Sequence, residues 1–202
     1  MKILVTGVNG QLGHDVMNEL AKRNIEALGC GRALTYKGIR RGYAMETMAY
    51  RQLDITNQRQ VFETIQEYHP DAVIHCAAWT AVDAAEESEN IPKVLATNVD
   101  GTKYIAEACK EIDAKMIYLS TDYVFDGQGT KPWKPEEKNY KPLSVYGQTK
   151  LEGELVVAET LSKYFIVRIA WVFGINGNNF VKTMLKVGRT HDILRVVSDQ
   201  VG

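Results

Sequence analysis

The chain has 202 residues, 45% of them hydrophobic, with 24 lysines and arginines against 25 aspartates and glutamates. This length is sufficient for one hydrophobic core, and the nearly neutral charge argues against nucleic acid or an anionic membrane as a partner. No apolar run approaches the ~18 residues that a membrane span requires. The chain begins with a strand-like run and not with a signal peptide, so we expect a cytoplasmic protein.

Short apolar runs alternate with helical patterns along the chain. Strands are predicted at residues 2–6, 25–30, 51–54, 72–76, 115–120 and 165–169, and helices after the first strand and near 57–68, 90–111 and 147–161. This alternation predicts an α/β fold, a doubly wound parallel sheet of the Rossmann type that binds NAD(P). We expect the strand order 3-2-1-4-5-6, with the ligand where the order reverses, and an exposed loop between residues 32 and 50.

The first predicted strand leads directly into a turn that contains Gly7, Gly10 and Gly13. The first glycine permits a tight turn, the second lets the backbone approach a pyrophosphate, and the third lets the following helix pack closely on the strand. At this place in the chain the turn predicts dinucleotide binding. The residues assigned to the cofactor here are Gly7, Asn9, Gly10, Gln11 and Leu12.

Tyr146 and Lys150 lie four residues apart where a helix is predicted to begin, so both side chains should project from one face. An ammonium close to a phenol lowers the pKa of that phenol, which makes Tyr146 a candidate proton donor to a ketone. The same spacing occurs on many solvent-exposed helices. The pair therefore indicates carbonyl reduction only in combination with the glycine turn.

In combination, these motifs resemble the extended branch of the short-chain dehydrogenase/reductase superfamily, whose paired signatures are Gly-x-x-Gly-x-x-Gly and Tyr-x-x-x-Lys. Within that branch the whole chain is similar to the family of dTDP-4-dehydrorhamnose reductases. The narrower similarity is carried by residues 77–83 (Ala-Ala-Trp-Thr-Ala-Val-Asp), 120–127 (Ser-Thr-Asp-Tyr-Val-Phe-Asp-Gly), 170–173 (Ala-Trp-Val-Phe) and 177–185. The resemblance implies NAD(P)H-dependent reduction of the C4 ketone of dTDP-4-dehydro-L-rhamnose to dTDP-L-rhamnose.

The resemblance also implies three catalytic residues. Tyr146 would supply the proton, Lys150 would orient the cofactor ribose and lower the tyrosine pKa, and Thr121 would hydrogen-bond the substrate carbonyl. In sugar-nucleotide 4,6-dehydratases an Asp-Glu pair follows this threonine, whereas Asp122 and Tyr123 follow it here, so reduction is favoured over elimination of water. Asn98 is expected to support the lysine. Contacts with the substrate are assigned to Thr80, Val82, Thr121, Asp122, Tyr123 and Trp171.

The end of the second predicted strand bears on the choice of cofactor. Residues 29–32 (Gly-Cys-Gly-Arg) lack the carboxylate that would bind the ribose hydroxyls of NAD, whereas a basic residue accommodates a 2′-phosphate. We therefore predict a preference for NADPH with Arg32 as the phosphate partner, and NADH is kept as an alternative. By resemblance, Asp54 and Ile55 border the adenine, Ala77 and Ala78 line the cofactor, and Tyr146 and Lys150 also contact it.

No protein-bound metal site is predicted, because the four histidines lack metal-ligand spacing. The resemblance leaves open Mg²⁺ at a dimer interface, held by carboxylates such as Glu86, Glu87 and Glu89, and with it a homodimer. A dTDP-sugar is the expected substrate partner. Two other functions also stay open: a nucleotide-sugar epimerase that holds NAD tightly, and a non-catalytic dinucleotide-binding regulatory subunit resembling that of methionine adenosyltransferase.

Two units are expected along the chain. Residues 1–170 are predicted to form the dinucleotide-binding Rossmann domain, and residues 171–202 the start of a substrate-binding lobe. The resembling reductases continue well beyond the last residue, so we expect a truncated form with an incomplete lobe. The final run at 193–200 is strand-like.

Overall fold

The fold is that of a computed structural model, which describes residues 1–128 and 131–196. In this part of the chain six strands form one parallel sheet in the order β3-β2-β1-β4-β5-β6. The predicted doubly wound α/β fold and its strand order are confirmed. The strands are β1 (Lys2–Thr6), β2 (Glu26–Gly31), β3 (Ala49–Gln52), β4 (Ala72–His75), β5 (Lys115–Thr121) and β6 (Tyr164–Ile169).

Helices connect the strands, and a π-helical turn (Ala96–Asp100) interrupts the single helix predicted over 90–111. This turn contains Asn98, and π turns often mark functional sites. The helix near 180 was not predicted. The helices are α1 (Gln11–Lys22), α2 (Gln58–Tyr68), α3 (Val82–Ala85), α4 (Ile91–Leu95), α5 (Gly101–Glu111), α6 (Val145–Thr160) and α7 (Phe180–Val187).

The hydrophobic core lies on both faces of the sheet because successive strand residues point to opposite sides. Leu4 of β1 packs in the core that includes side chains of α2, α5 and α6. Its neighbours Ile3 and Val5 pack in the second core, which includes side chains of α1. The apolar run of β1 is therefore buried on both faces, as expected for a central parallel strand.

The segment between β2 and β3 is only partly the predicted exposed loop. Most of it is exposed, but Tyr36 and Met45 are only 4% and 2% exposed and pack in the core beside α1. The Tyr36 hydroxyl lies 2.5 Å from Nδ1 of His14 in α1. An aromatic and a methionine side chain thus anchor the segment to the domain.

The segment after β6 has few inward contacts. Helix α7 contains no buried residue, and its apolar side chains Phe180, Val181 and Leu185 are exposed. Of the strand predicted at 193–200, residues 193–196 are irregular and residues 197–200 lie outside the described residues. Within the described ranges, no helix has both the length and the apolar character to cross a membrane.

Candidate functional site

The turn between β1 and α1 has no room for a side chain at Gly7. Its φ is +70°, and an added Cβ would lie 2.7 Å from the backbone nitrogen of Ala77. A Cβ at Gly13 would lie 2.5 Å from the Gly7 carbonyl oxygen, so α1 can pack against the turn only because this residue is glycine. The N-terminus of α1 therefore opens beside Ala77 at the carboxyl edge of the sheet, a geometry that suits an anionic pyrophosphate.

The side chains predicted to bind cofactor next to these glycines are engaged within the protein. Asn9 accepts a hydrogen bond from the backbone of Lys37 at 2.8 Å, and Gln11 accepts one from the side chain of Asn179 at 2.9 Å. Leu12 is half-buried in the first turn of α1. The backbone of the turn, more than these side chains, is therefore suited to contact a ligand.

Asn176 was missed by the sequence analysis. Its side-chain amide donates to the carbonyl oxygens of Asn9 and Gly10 at 2.9 and 3.1 Å, and its oxygen accepts from the backbone of Ile39 at 3.1 Å. The residue is only 3% exposed. Asn176 thus ties the segment after β6 to the glycine turn. Its place directly before the Gly-Asn-Asn-Phe stretch at 177–180 is the sequence signal that could have indicated it.

The residues predicted near the adenosine lie in different environments. Arg32 is exposed directly after β2, and its carbonyl oxygen accepts from the Gln52 side chain at 3.0 Å. Asp54 accepts hydrogen bonds from the backbone and hydroxyl of Thr56 at 3.0 and 2.8 Å. Ile55 is buried, and a Cβ at Gly101 would lie 2.9 Å from its Cδ1. Arg32 is accessible to a ligand, whereas Asp54 and Ile55 stabilise the turn before α2.

Helix α6 begins at the carboxyl edge because its first amides are capped. Ser144 accepts a hydrogen bond from the Gly147 backbone at 3.0 Å, and Glu86 accepts one from the Val145 backbone at 2.7 Å. A Cβ at Gly147 would collide with the carbonyl oxygen of Tyr123, so this glycine allows α6 to approach the turn after β5. The close approach brings Tyr146 beside the residues at the end of β5.

Tyr146 is half-buried and close to Thr121. Burial raises the pKa of the Tyr146 phenol above its ordinary value, the neighbouring Thr121 hydroxyl lowers it, and the Asp122 carboxylate raises it again. The expectation that Lys150 lowers this pKa stays a prediction. Helical spacing places Lys150 on the same side of α6, but its ammonium donates to the Leu119 carbonyl at 2.6 Å and is not among the groups that shift the Tyr146 pKa. Tyr146 is therefore a protonated phenol at neutral pH.

The hydroxyl of Thr121 is oriented by its neighbours. It donates to the Asp122 carboxylate at 3.0 Å and accepts from the Tyr123 backbone at 3.2 Å. The Tyr123 ring meets the Tyr146 ring edge-on, with centroids 5.8 Å apart. To hydrogen-bond a substrate carbonyl, Thr121 must turn its proton away from Asp122.

Asn98 supports the catalytic helix through the residue next to Lys150. Its side-chain oxygen accepts from the Trp79 backbone at 2.8 Å, and its amide donates to the Thr149 hydroxyl at 3.1 Å. The predicted support for the lysine is therefore indirect, through Thr149, in this structure. The π-helical turn is what presents Asn98 to both partners.

The residues predicted to bind substrate follow the carboxyl ends of the adjacent strands β4, β5 and β6. Trp171 is 54% exposed, has a positive φ of 54°, and its ring lies edge-on to Phe180 at 6.2 Å. A positive φ at a bulky residue is unusual and is often found at functional sites. Thr121 is described above. Of the remaining four residues, Thr80 and Tyr123 are exposed, and Val82 and Asp122 are half-buried.

The acidic run before α4 does not assemble into a cation site in the described part of the chain, where no cluster of three or more His, Cys, Asp or Glu residues could hold a metal ion. Glu86 caps α6, as described above. Glu87 accepts a hydrogen bond from the Asn90 side chain at 2.7 Å. These two carboxylates are thus engaged within their own chain.

The reversal of strand order beside a glycine turn, with Thr121, Tyr146 and Lys150 at the same edge, defines a Rossmann-type protein of the short-chain dehydrogenase/reductase class. The sequence model of the RmlD substrate binding domain matches residues 1–202. The chain belongs to this family, and the resemblance stated from the motifs is confirmed.

Individual relatives agree with this assignment. The dTDP-4-dehydrorhamnose reductase of Aggregatibacter actinomycetemcomitans is 39% identical over 201 residues, which are 100% of this chain and 62% of that protein. The spore coat polysaccharide biosynthesis protein SpsK of Bacillus subtilis is 38% identical over 201 residues, 100% of this chain and 64% of the relative. This chain therefore spans less than two thirds of their length.

Solved structures of dTDP-4-dehydrorhamnose reductases are also similar to this chain. A dTDP-4-dehydrorhamnose reductase from Clostridium acetobutylicum matches 100% of this chain and 64% of its own, with a TM-score of 0.85 and 42% identity. A dTDP-4-dehydrorhamnose reductase from Bacillus anthracis, in complex with NADP, matches 94% of this chain and 60% of its own, with a TM-score of 0.77 and 36% identity.

Proposed function

We propose that this chain provides the dinucleotide-binding and catalytic part of a reductase that converts dTDP-4-dehydro-L-rhamnose to dTDP-L-rhamnose with NADPH. The observation that carries the proposal is the juxtaposition of Tyr146 and Thr121 at the carboxyl edge of the sheet, in a chain of the RmlD family. The names of its relatives support the choice of substrate.

The residues at the reversal of the sheet fit a dinucleotide. The space beside Gly7 admits backbone but no Cβ, and the N-terminus of α1 offers unpaired amides to a pyrophosphate. Exposed Arg32 offers a guanidinium to a 2′-phosphate, and the NADP bound by the Bacillus anthracis relative supports NADPH over NADH. When bound, the reduced nicotinamide would supply the hydride to C4 of the sugar.

Side chains of this protein would donate the proton that the reduction requires. Because burial raises the pKa of Tyr146, the phenol keeps its proton at neutral pH and can donate it to the alkoxide that develops at C4. Thr121, once its hydroxyl turns from Asp122, would stabilise the same oxygen. Lys150 would hold the cofactor ribose from the same side of α6.

We further propose that residues 171–202 belong to a substrate-binding lobe. The described part of this segment exposes large apolar side chains, which supports a role in covering a ligand, and Trp171 with its unusual backbone is the residue we assign to the sugar. Because Glu86 and Glu87 are engaged within the chain, Mg²⁺ and a dimer built around it are left out of the proposal.

The test is the spectrophotometric consumption of NADPH by the 202-residue chain with dTDP-4-dehydro-L-rhamnose, beside Tyr146→Phe. Loss of a general acid should lower turnover by roughly 10²–10⁴-fold while NADPH affinity stays within about twofold. Tyr104→Phe, which removes a hydroxyl from α5, is the matched control. Unchanged turnover in Tyr146→Phe removes the tyrosine from the mechanism. Bound NAD with no net NADPH consumption would favour an epimerase. Dinucleotide binding without turnover would favour a regulatory subunit if it persists in a chain extended to the length of the relatives.

A further inference from the structure

The ammonium of Lys150 lies against the face of an aromatic ring. Its Nζ is 4.0 Å from the centroid of the Tyr118 ring and 2.6 Å from the Leu119 carbonyl oxygen, and the lysine is only 2% exposed. A cation within about 6 Å of an aromatic face is attracted by its negative quadrupole, most strongly where water is excluded. The buried ammonium therefore has one carbonyl and one π face as its immediate partners.

The Tyr118 ring is itself fixed in position. Its hydroxyl donates to the Lys150 carbonyl oxygen at 3.3 Å, and the His75 ring stacks on it with centroids 5.9 Å apart. A Cβ at Gly153 would collide with the Tyr118 hydroxyl, so α6 carries a glycine where the tyrosine meets it. The ring is a rigid support and cannot turn away from the lysine without disturbing β4 and α6.

The buried ammonium of Lys150 needs groups that stabilise its charge. Burial lowers the pKa of Lys150 to about 7, while Glu154 acts in the opposite direction. Glu154 is already paired with Arg168 of β6 through two hydrogen bonds of 2.9 and 2.6 Å. Burial keeps His75 neutral and raises the pKa of the Cys76 thiol to about 12, so neither is charged near neutral pH. Besides Glu154, the Leu119 carbonyl and the Tyr118 face, which both contact the ammonium, oppose loss of the lysine proton.

We propose that Tyr118 is a positioning residue whose ring face holds the Lys150 ammonium charged and in place at the carboxyl edge of the sheet. The consequence for the cofactor ribose rests on the proposed function, but the contact between ring and ammonium does not. The inference therefore has a readout that needs neither NADPH nor turnover.

The experiment replaces Tyr118 by phenylalanine and then by mono-, di- and trifluorinated phenylalanines, which withdraw electron density from the ring at nearly constant shape. The pKa of Lys150 is followed by carbon NMR of labelled lysine side chains, with Lys150→Met to assign the signal. The Tyr118→Phe protein should titrate close to wild type, and each fluorine should lower the Lys150 pKa, by about one unit over the series. The same fluorinated residues at Phe62 of α2 are the control and should have no effect.

A Lys150 pKa that stays constant across the series overturns the proposal, even if Tyr118→Leu proves less stable, because lost packing alone does not follow ring electron density. If wild type neither binds nor oxidises NADPH, the proposed function fails while the lysine titration still decides the role of Tyr118. If the function holds, the fluorinated series should also raise the KM for NADPH progressively, with Phe62 variants unchanged.

Discussion

The hydroxyl of Thr6 in β1 lies 2.7 Å from Nδ1 of His75 in β4. The other ring nitrogen lies 3.3 Å from the Thr102 hydroxyl, which already donates to the Asn98 carbonyl at 2.7 Å. Nε2 must therefore carry the proton, and Nδ1 accepts from Thr6, which in turn accepts from the Ala77 backbone at 3.1 Å. A neutral His75 thus joins the strand end beside the glycine turn to the π-helical turn that supports α6.

This arrangement makes stability depend on pH. Burial lowers the pKa of His75 from 6.5 to about 3. Between these two pH values the histidine is protonated in the unfolded chain and neutral in the folded chain. The stabilisation is present above pH 6.5 and is lost as the pH falls toward 3, at up to about 1.4 kcal/mol per pH unit. Urea unfolding of wild type and His75→Gln across this range should show a shallower slope for the variant. His69→Asn removes an exposed histidine and should keep the wild-type slope; equal slopes for all three would contradict the assignment.

Two glycines with positive φ allow a matched test of the turn. Gly7 and Gly42 have φ of +70° and +79°, but a Cβ at Gly7 meets the Ala77 backbone whereas Gly42 has no atom within 4 Å. Gly42→Ala should cost only about 1–2 kcal/mol of left-handed strain. Gly7→Ala adds a steric clash to this strain, so it should lower the free energy of unfolding by about 2 kcal/mol more than Gly42→Ala does. It should also abolish NADPH binding, as measured by calorimetry. Equal losses of stability, with binding retained, would show that the turn does not need this close approach.

Cofactor preference is tested at Arg32. Charge-assisted hydrogen bonds are worth about 1.5–3 kcal/mol, so Arg32→Ala should weaken NADPH binding by roughly 10-fold to 100-fold. NADH lacks the 2′-phosphate and should bind nearly as well as before. Arg41→Ala, an exposed arginine in the same loop, is the control. A similar weakening of both dinucleotides would remove Arg32 from the 2′-phosphate site.

The fold was predictable because short apolar strands such as β1 alternate with helical segments, and the chirality of parallel crossovers restricts the strand order. Strand ends shifted by a residue or two, because turn contacts set them. The π-helical turn was not predictable, since its residues read as ordinary helix. The segment 32–50 was misread because its lysines, arginines and glycines suggested an exposed loop, whereas Tyr36 and Met45 anchor it to the core.

The catalytic site was predictable as a set of residues but not as a set of contacts. Helical spacing placed Tyr146 and Lys150 on one face of α6, but rotamers and burial decided that the lysine meets Tyr118 and Leu119. Tyr118 itself reads as a core residue in an apolar strand. The role of Asn176 depends on contacts 166 and 167 residues away along the chain, which local pattern cannot indicate.

Asn176 should stabilise the conformation of the glycine turn without affecting the preference between NADPH and NADH. Asn176→Ala removes a buried side chain with its hydrogen bonds to the Asn9 and Gly10 carbonyls and to the Ile39 backbone, at a cost of about 1–3 kcal/mol in the free energy of unfolding. Because NADPH and NADH share the pyrophosphate, both should bind more weakly by the same factor, in contrast to Arg32→Ala. Asn178→Ala alters an exposed asparagine of the same segment and should change neither stability nor affinity. If Asn176→Ala loses stability but binds both dinucleotides like wild type, its hydrogen bonds hold the segment after β6 without shaping the turn.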